Sequence, residues 1–261
     1  MSTINLEYPT GWAQLDQREL SALLWCISDC QKLTLHTPFL DADDYSTQTW
    51  AMIATHRIFA RNNILVYTPY ADGYLIKYRN KEYYITPEQV AALLDCAKWI
   101  REIPSFPVRL DHVGRFNAIP EDLTGLPFGK WLEIENLWQG YNVTKDESLL
   151  RSIGEILYPG ITGDLFSDAD LLGVFYWIAA IKNMFAKRFP SFFKPAGGEG
   201  DSAAISFEML QRNADAQIRA LTKGDVTKED QIYDTDVTRA LTELDAQAKE
   251  YEEITKKYGK H

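Results

Sequence analysis

The run LLGVFYWIAAI, residues 171–181, is interrupted only by Gly173 and is bracketed by Asp170 and Lys182. A segment this apolar must be enclosed by other parts of the chain, because it is well short of the roughly 20 residues that a bilayer crossing requires. It predicts a buried helix, and a buried helix needs a core around it. With 261 residues, 46% hydrophobic and 13% aromatic, the chain can build one sizeable core or two small ones.

Other segments carry the start signals of helices. LDQRELSALLWCISDC places Leu20, Leu23, Leu24 and Ile27 on one side after Asp16, with Glu19 three residues on, close to a capping box. STQTWAMIATHRIFAR, from Ser46, repeats the habit with Trp50, Ile53, Ile58 and Phe59. PFGKWLEIENLWQGY sets Trp131, Ile134, Leu137 and Trp138 on a shared face. Thr144 and Glu147 are the expected caps of SLLRSIGEILYPG, which Pro159-Gly160 ends, and Ser167 opens the apolar helix, expected to run to about Phe189.

Between these, the period changes to two. ILVYTPYADGYLIKYRNKEYYI, residues 64–85, is rich in β-branched and aromatic residues, and its turn signals, Asp72-Gly73 and Asn80-Lys81, predict three short antiparallel strands. Thr86-Pro87-Glu88-Gln89 then combines an N-cap, a proline at the first helical position and a capping-box glutamine. Residues 103–127 read as an ordered, proline-containing connector. PAGGEGDSAA, residues 195–204, reads as a flexible linker. The expected fold class is therefore mainly α with a small antiparallel β-sheet (α+β) and a helical C-terminal arm. Its expected parts are a globular region 1–194 with the hairpin insert 64–85, subdivided or not near 103–127, then the linker 195–204 and the arm 205–261.

The arm ends in a helix whose Val237, Leu241, Leu244, Ala248, Tyr251, Thr255 and Tyr258 alternate at spacings of four and three. This is the seam that lets one helix lie along another. Lys223-Gly224 supplies the break before it, since glycine takes the left-handed conformation that closes a helix. The seam fits packing on the chain's own domain or on another subunit. Val237, Leu241, Leu244 and Tyr251 are the candidate subunit contacts, with Phe192 and Phe193 as a second patch.

Net charge is −10, from 27 basic and 37 acidic side chains, which opposes nonspecific binding to nucleic acid or an anionic membrane. Cys26, Cys30 and Cys96 are an odd count behind an N-terminus without a signal-peptide pattern, so a reducing cytosol is expected. Neither a catalytic constellation nor a cofactor or metal motif emerges. His36, His56, His112 and His261 lack metal-ligand spacing to one another or to a cysteine. Cys26 and Cys30 suit core packing. Asp41, Asp43 and Asp44 begin like a calcium loop without its Gly and Glu. Glu133 and Glu135, two apart on a helix, point to different faces. Gly200-Asp201-Ser202-Ala203 has a faint likeness to a nucleophile elbow, but no strand precedes it. AKRFPSFFKP, residues 186–195, interleaves Lys187, Arg188 and Lys194 with Phe189, Phe192 and Phe193. That combination serves a nucleic-acid or membrane contact, and equally the end of a buried helix.

Two stretches resemble proteins of tailed phages and prophages of Bacteroides-type bacteria. PFGKWLEIENLWQGYNVTKDESLLRSIGEILYPG, residues 127–160, is similar to a phage pattern of Phe-Gly, acidic residues and a capped helix ending in Leu-Tyr-Pro. ALTKGDVTKEDQIYDTDVTRALTELDAQAKEYEE, residues 220–253, is similar to the endings of proteins from their structural-gene clusters. The resemblance implies a virion or morphogenesis role: a neck or tail component, a tail assembly chaperone, or a protein packaged with the capsid. It also implies residence in the bacterial host cytoplasm during assembly, or in the virion. The expectation is a non-enzymatic, homo-oligomeric protein that contacts other phage structural proteins. The rivals are an enzyme using His56 or His112 with nearby carboxylates, and a nucleic-acid binder working through residues 186–195.

Overall fold

A computed structural model describes residues 9–35, 67–78, 81–193 and 207–258. The helix expected from Ser46 and the linker 195–204 lie outside the described residues. The fold is mainly α with small antiparallel β elements, and its chain divides into two compact units: 1–104 with 167–173, and 105–166 with 174–261.

In the first unit, α1 (Gln17–Leu35) begins at a reciprocal capping box. The Glu19 N–H donates to Asp16 Oδ1 at 2.8 Å and the Asp16 N–H to Glu19 Oε2 at 3.0 Å, so two donors that a helix start leaves open are satisfied together. Leu20, Leu23, Leu24 and Ile27 are all buried, and Cys26 joins them as a core residue. Trp12 closes one end: its indole N–H donates to the carbonyls of Trp99 and Glu102 at 3.1 and 3.0 Å while the rings of Trp12 and Trp99 meet edge to face.

The three-stranded sheet is β1 (Tyr67–Tyr70), β2 (Gly73–Tyr78) and β3 (Lys81–Ile85), in that order and antiparallel throughout. Its turns differ from those expected. Tyr70 pairs with Gly73, so the first turn is Ala71-Asp72, with Ala71 left-handed at φ 51°. Gly73 belongs to the strand because a Cβ there would run into the Ile85 carbonyl and sit 2.7 Å from Tyr84 Oη. The glycine serves close approach rather than the turn. Lys81 is already in β3, which leaves the second connection at 79–80, outside the described residues. α2 (Pro87–Cys96) follows with the expected box, Thr86 and Gln89 bonding each other's backbone N–H.

The second unit opens with a connector that is ordered without being helical. It holds a small hairpin, β4 (His112–Val113) and β5 (Phe116–Asn117), and is tied down where the buried Tyr158 hydroxyl donates to the Leu110 carbonyl at 2.9 Å. α3 (Phe128–Thr144) buries Trp131, Ile134 and Trp138 as the spacing requires, along with Phe128 and Leu132. It stops at Lys145, left-handed at φ 57°. The cap of α4 (Glu147–Leu157) is Asp146, which accepts the Ser148 N–H at 2.9 Å. Thr144, the expected cap, is instead the last residue of α3, with its hydroxyl donating back to the Gly140 carbonyl.

α5 (Asp168–Arg188) starts at Ser167, whose hydroxyl and backbone are bonded reciprocally to Asp170. By length and composition it could cross a membrane, and 56% of its most apolar window is buried inside the fold. Within the second unit Trp177, Ile178, Ile181 and Phe185 are fully enclosed, and the Phe185 ring meets Trp131 edge to face at 5.1 Å. α6 (Phe207–Thr222) ends at left-handed Lys223 and Gly224, the break expected there. α7 (Glu229–Tyr233) and α8 (Val237–Tyr258) complete the unit. α7 packs on α3, and α8 on α3 and α6.

Candidate functional site

The C-terminal helices are joined to the rest of their unit by a backbone clasp. The Phe128 N–H donates to the Thr235 carbonyl at 2.7 Å, and the Val237 N–H donates to the Leu126 carbonyl at 2.9 Å, with Pro127 and Asp236 facing each other between them. Each bond satisfies the first N–H of a helix, a group with no partner inside its own helix. Asp236 then acts as the N-cap of α8, one carboxylate oxygen accepting from Thr238 and Arg239 and the other from the Gly125 N–H at 2.7 Å. Gly129, the second residue of α3, leaves room for Tyr233, whose ring carbon would lie 2.9 Å from an added Cβ.

This docking decides the fate of the candidate contact residues. Val237, Leu241 and Leu244 are buried within their own unit at 0%, 0% and 4% exposure, so their assignment to a subunit contact is corrected: the chain itself covers the proximal seam. The seam then runs past the end of that cover. Tyr251 is 72% exposed and Ile254 57%, one turn apart on the same side of α8. The other large exposed residues of this unit, among them Val143, Leu165 and Val226, stand on separate elements. Isolated exposed apolar residues are ordinary, whereas these two stand beside each other on one helix.

The second patch is also largely used by the fold. Asp245 Oδ1, on α8, accepts the backbone N–H groups of Ser191 and Phe192 at 2.8 and 2.9 Å, holding the turn after Pro190. Phe192 and Phe193 are half-buried and meet edge to face at 4.9 Å. Phe189 is buried, with Arg188 over its ring at 5.4 Å. Lys187 and Arg188 thus sit where cations favour the end of a buried helix.

A cleft of about 550 Å³ opens between α3, α4 and the loop before α3, floored by Ile119, Pro120, Leu126 and Ile156. Its charged side chains are already engaged: Lys130 pairs with Glu133 at 2.7 Å, and Glu155 accepts the Gly163 N–H at 2.7 Å. Glu135 leaves on another face to meet Lys182 at 2.6 Å. His112 is exposed on the small hairpin with Nδ1 2.7 Å from the Asn117 side-chain carbonyl, an amide rather than a carboxylate. His36, His56, His261, Asp41, Asp43, Asp44 and Gly200 to Ala203 fall outside the described residues. Among the described residues no cluster of three or more His, Cys, Asp or Glu is placed to hold a metal ion.

Tyr251, a candidate contact by its spacing, is exposed, whereas the clasp and the point at which the seam leaves its own core escaped the sequence for different reasons. Asp236 before an apolar-periodic run is a recognisable N-cap signal. Where a seven-residue seam passes from its own core into solvent has no local signature. No family model, curated protein or solved structure matches the chain.

Proposed function

We propose that the chain is a non-enzymatic assembly protein of a tailed phage or prophage, a neck or tail component or a protein kept with the particle, working through protein–protein contacts. The observation that carries this reading is the exposed Tyr251, which continues a seam whose first half is buried, with the exposed Ile254 beside it on the helix. Support for the phage context comes from the two resembling stretches, residues 127–160 and 220–253. They meet at the clasp, where Phe128 bonds Thr235, so the resemblance covers one packed assembly of helices rather than two unrelated pieces.

The test is genetic. In an induced host carrying this gene, replacing Tyr251 and Ile254 with glutamate should stop particle assembly at one stage, seen as incomplete particles by negative-stain electron microscopy. Normal infectious yield from that variant would overturn the reading.

A further inference from the structure

We propose that the distal half of α8 pairs antiparallel with the same segment of a second copy of this chain, the two-fold axis passing between Glu253 and Ile254. This rests on the assembly reading above and names the partner for its contact surface.

The argument is charge complementarity around the exposed stripe. At 100° per residue, Glu250 and Lys257 fall on the same flank of the Tyr251 and Ile254 face, and both are exposed. Their midpoint in sequence lies between residues 253 and 254. In an antiparallel helix pair like flanks meet, so Glu250 of each copy lies opposite Lys257 of the other, twice over, with the Ile254 side chains adjacent at the centre and each Tyr251 beside its partner's Ile254. A parallel pair brings unlike flanks together and sets Glu250 toward the side that carries Thr255, where it meets no opposite charge. The buried proximal seam bars the pairing from extending toward Leu244. The contact is therefore short, below the roughly 1,200 Å² typical of a stable dimer, and forms a weak pair suited to reinforcement within a larger particle.

Sedimentation equilibrium of the full chain up to about 1 mM, beside single and double charge variants, tests it. Wild type should show a concentration-dependent dimer, and Ile254→Glu should remove it while circular dichroism stays unchanged. Glu250→Lys or Lys257→Glu alone should weaken dimerisation about tenfold, and the two together should restore it, because the opposed pairs are exchanged. Orientation is read on a Cys96→Ser background. Ile254→Cys should form an interchain disulfide, whereas Gln247→Cys, placed about 20 Å from its counterpart along the axis, should not. A monomer at every concentration, a dimer indifferent to Ile254→Glu, or a double charge variant that stays weak would overturn the pairing. Each would leave the particle experiment to judge the assembly reading on its own.

Discussion

Asp236 and Gly125, 111 residues apart in sequence, are joined by a 2.7 Å hydrogen bond from the glycine N–H to the carboxylate that also caps α8. One side chain thereby starts the last helix and fastens it to the loop preceding α3. Asp236→Ala removes both roles and should cost about 2–3 kcal/mol, a helix cap plus a charge-assisted bond. Asp236→Asn keeps an acceptor and should cost clearly less. Urea denaturation of the two variants beside wild type gives the comparison.

The two halves of α8 should respond oppositely to truncation. Leu241→Ala opens a cavity among fully buried neighbours and should destabilise by about 2–5 kcal/mol. Ile254→Ala, at an exposed position, should stay within about 0.5 kcal/mol. Thermal melts that found the two equal would refute the division of the helix into a packed half and a free half.

Gly154 gives a sharper packing test. A Cβ there would stand 2.5 Å from the tip of the Phe166 ring, which is itself buried. Gly154→Ala should cost about 1–3 kcal/mol through overpacking, despite alanine's better helix propensity. A second change, Phe166→Leu, should recover part of the loss, as read from denaturation midpoints.

Acid should weaken the fold through aspartates that accept nearby backbone N–H groups at helix starts and turns. Asp225 is held down at about 2 from an ordinary 3.8, first by the Thr227 hydroxyl that it accepts and then by Lys228. Asp146 is lowered chiefly by the Ser148 N–H, and Asp122 chiefly by the Thr124 N–H. Because these groups bind protons more weakly when folded, their contribution is complete above pH 3.8 and is lost as pH falls toward 2. Denaturation midpoints should fall across that window, and Asp225→Asn should flatten part of the fall.

Much of the fold was legible where a local rule governs. The boxes at Asp16, Thr86 and Ser167 lie where the residue spacing puts them, since each is completed within four residues. The apolar run 171–181 lies in a helix, as its composition predicts, and Trp177, Ile178 and Ile181 within it are fully buried. Misreadings came where a distant partner decides. Gly73 resembles a turn glycine, yet its neighbours across the sheet, Tyr84 and Ile85, impose the strand. The seam at Val237, Leu241 and Leu244 has the same spacing whether its cover is another subunit or the chain itself, and only the clasp at Phe128 and Thr235 distinguishes the two. Removing α6 to α8 would take away the core positions Val237 and Leu241, so such a truncation would test folding rather than assembly.

The most direct measurement of the central claim is site-specific photo-cross-linking during particle production. A photoreactive phenylalanine derivative is placed at position 251, with exposed position 212 on α6 as the control. A distal α8 that forms the contact surface gives a defined adduct from 251, identified by mass spectrometry as a second copy or another particle protein, and none from 212. Normal particles with no adduct from 251 would contradict the account.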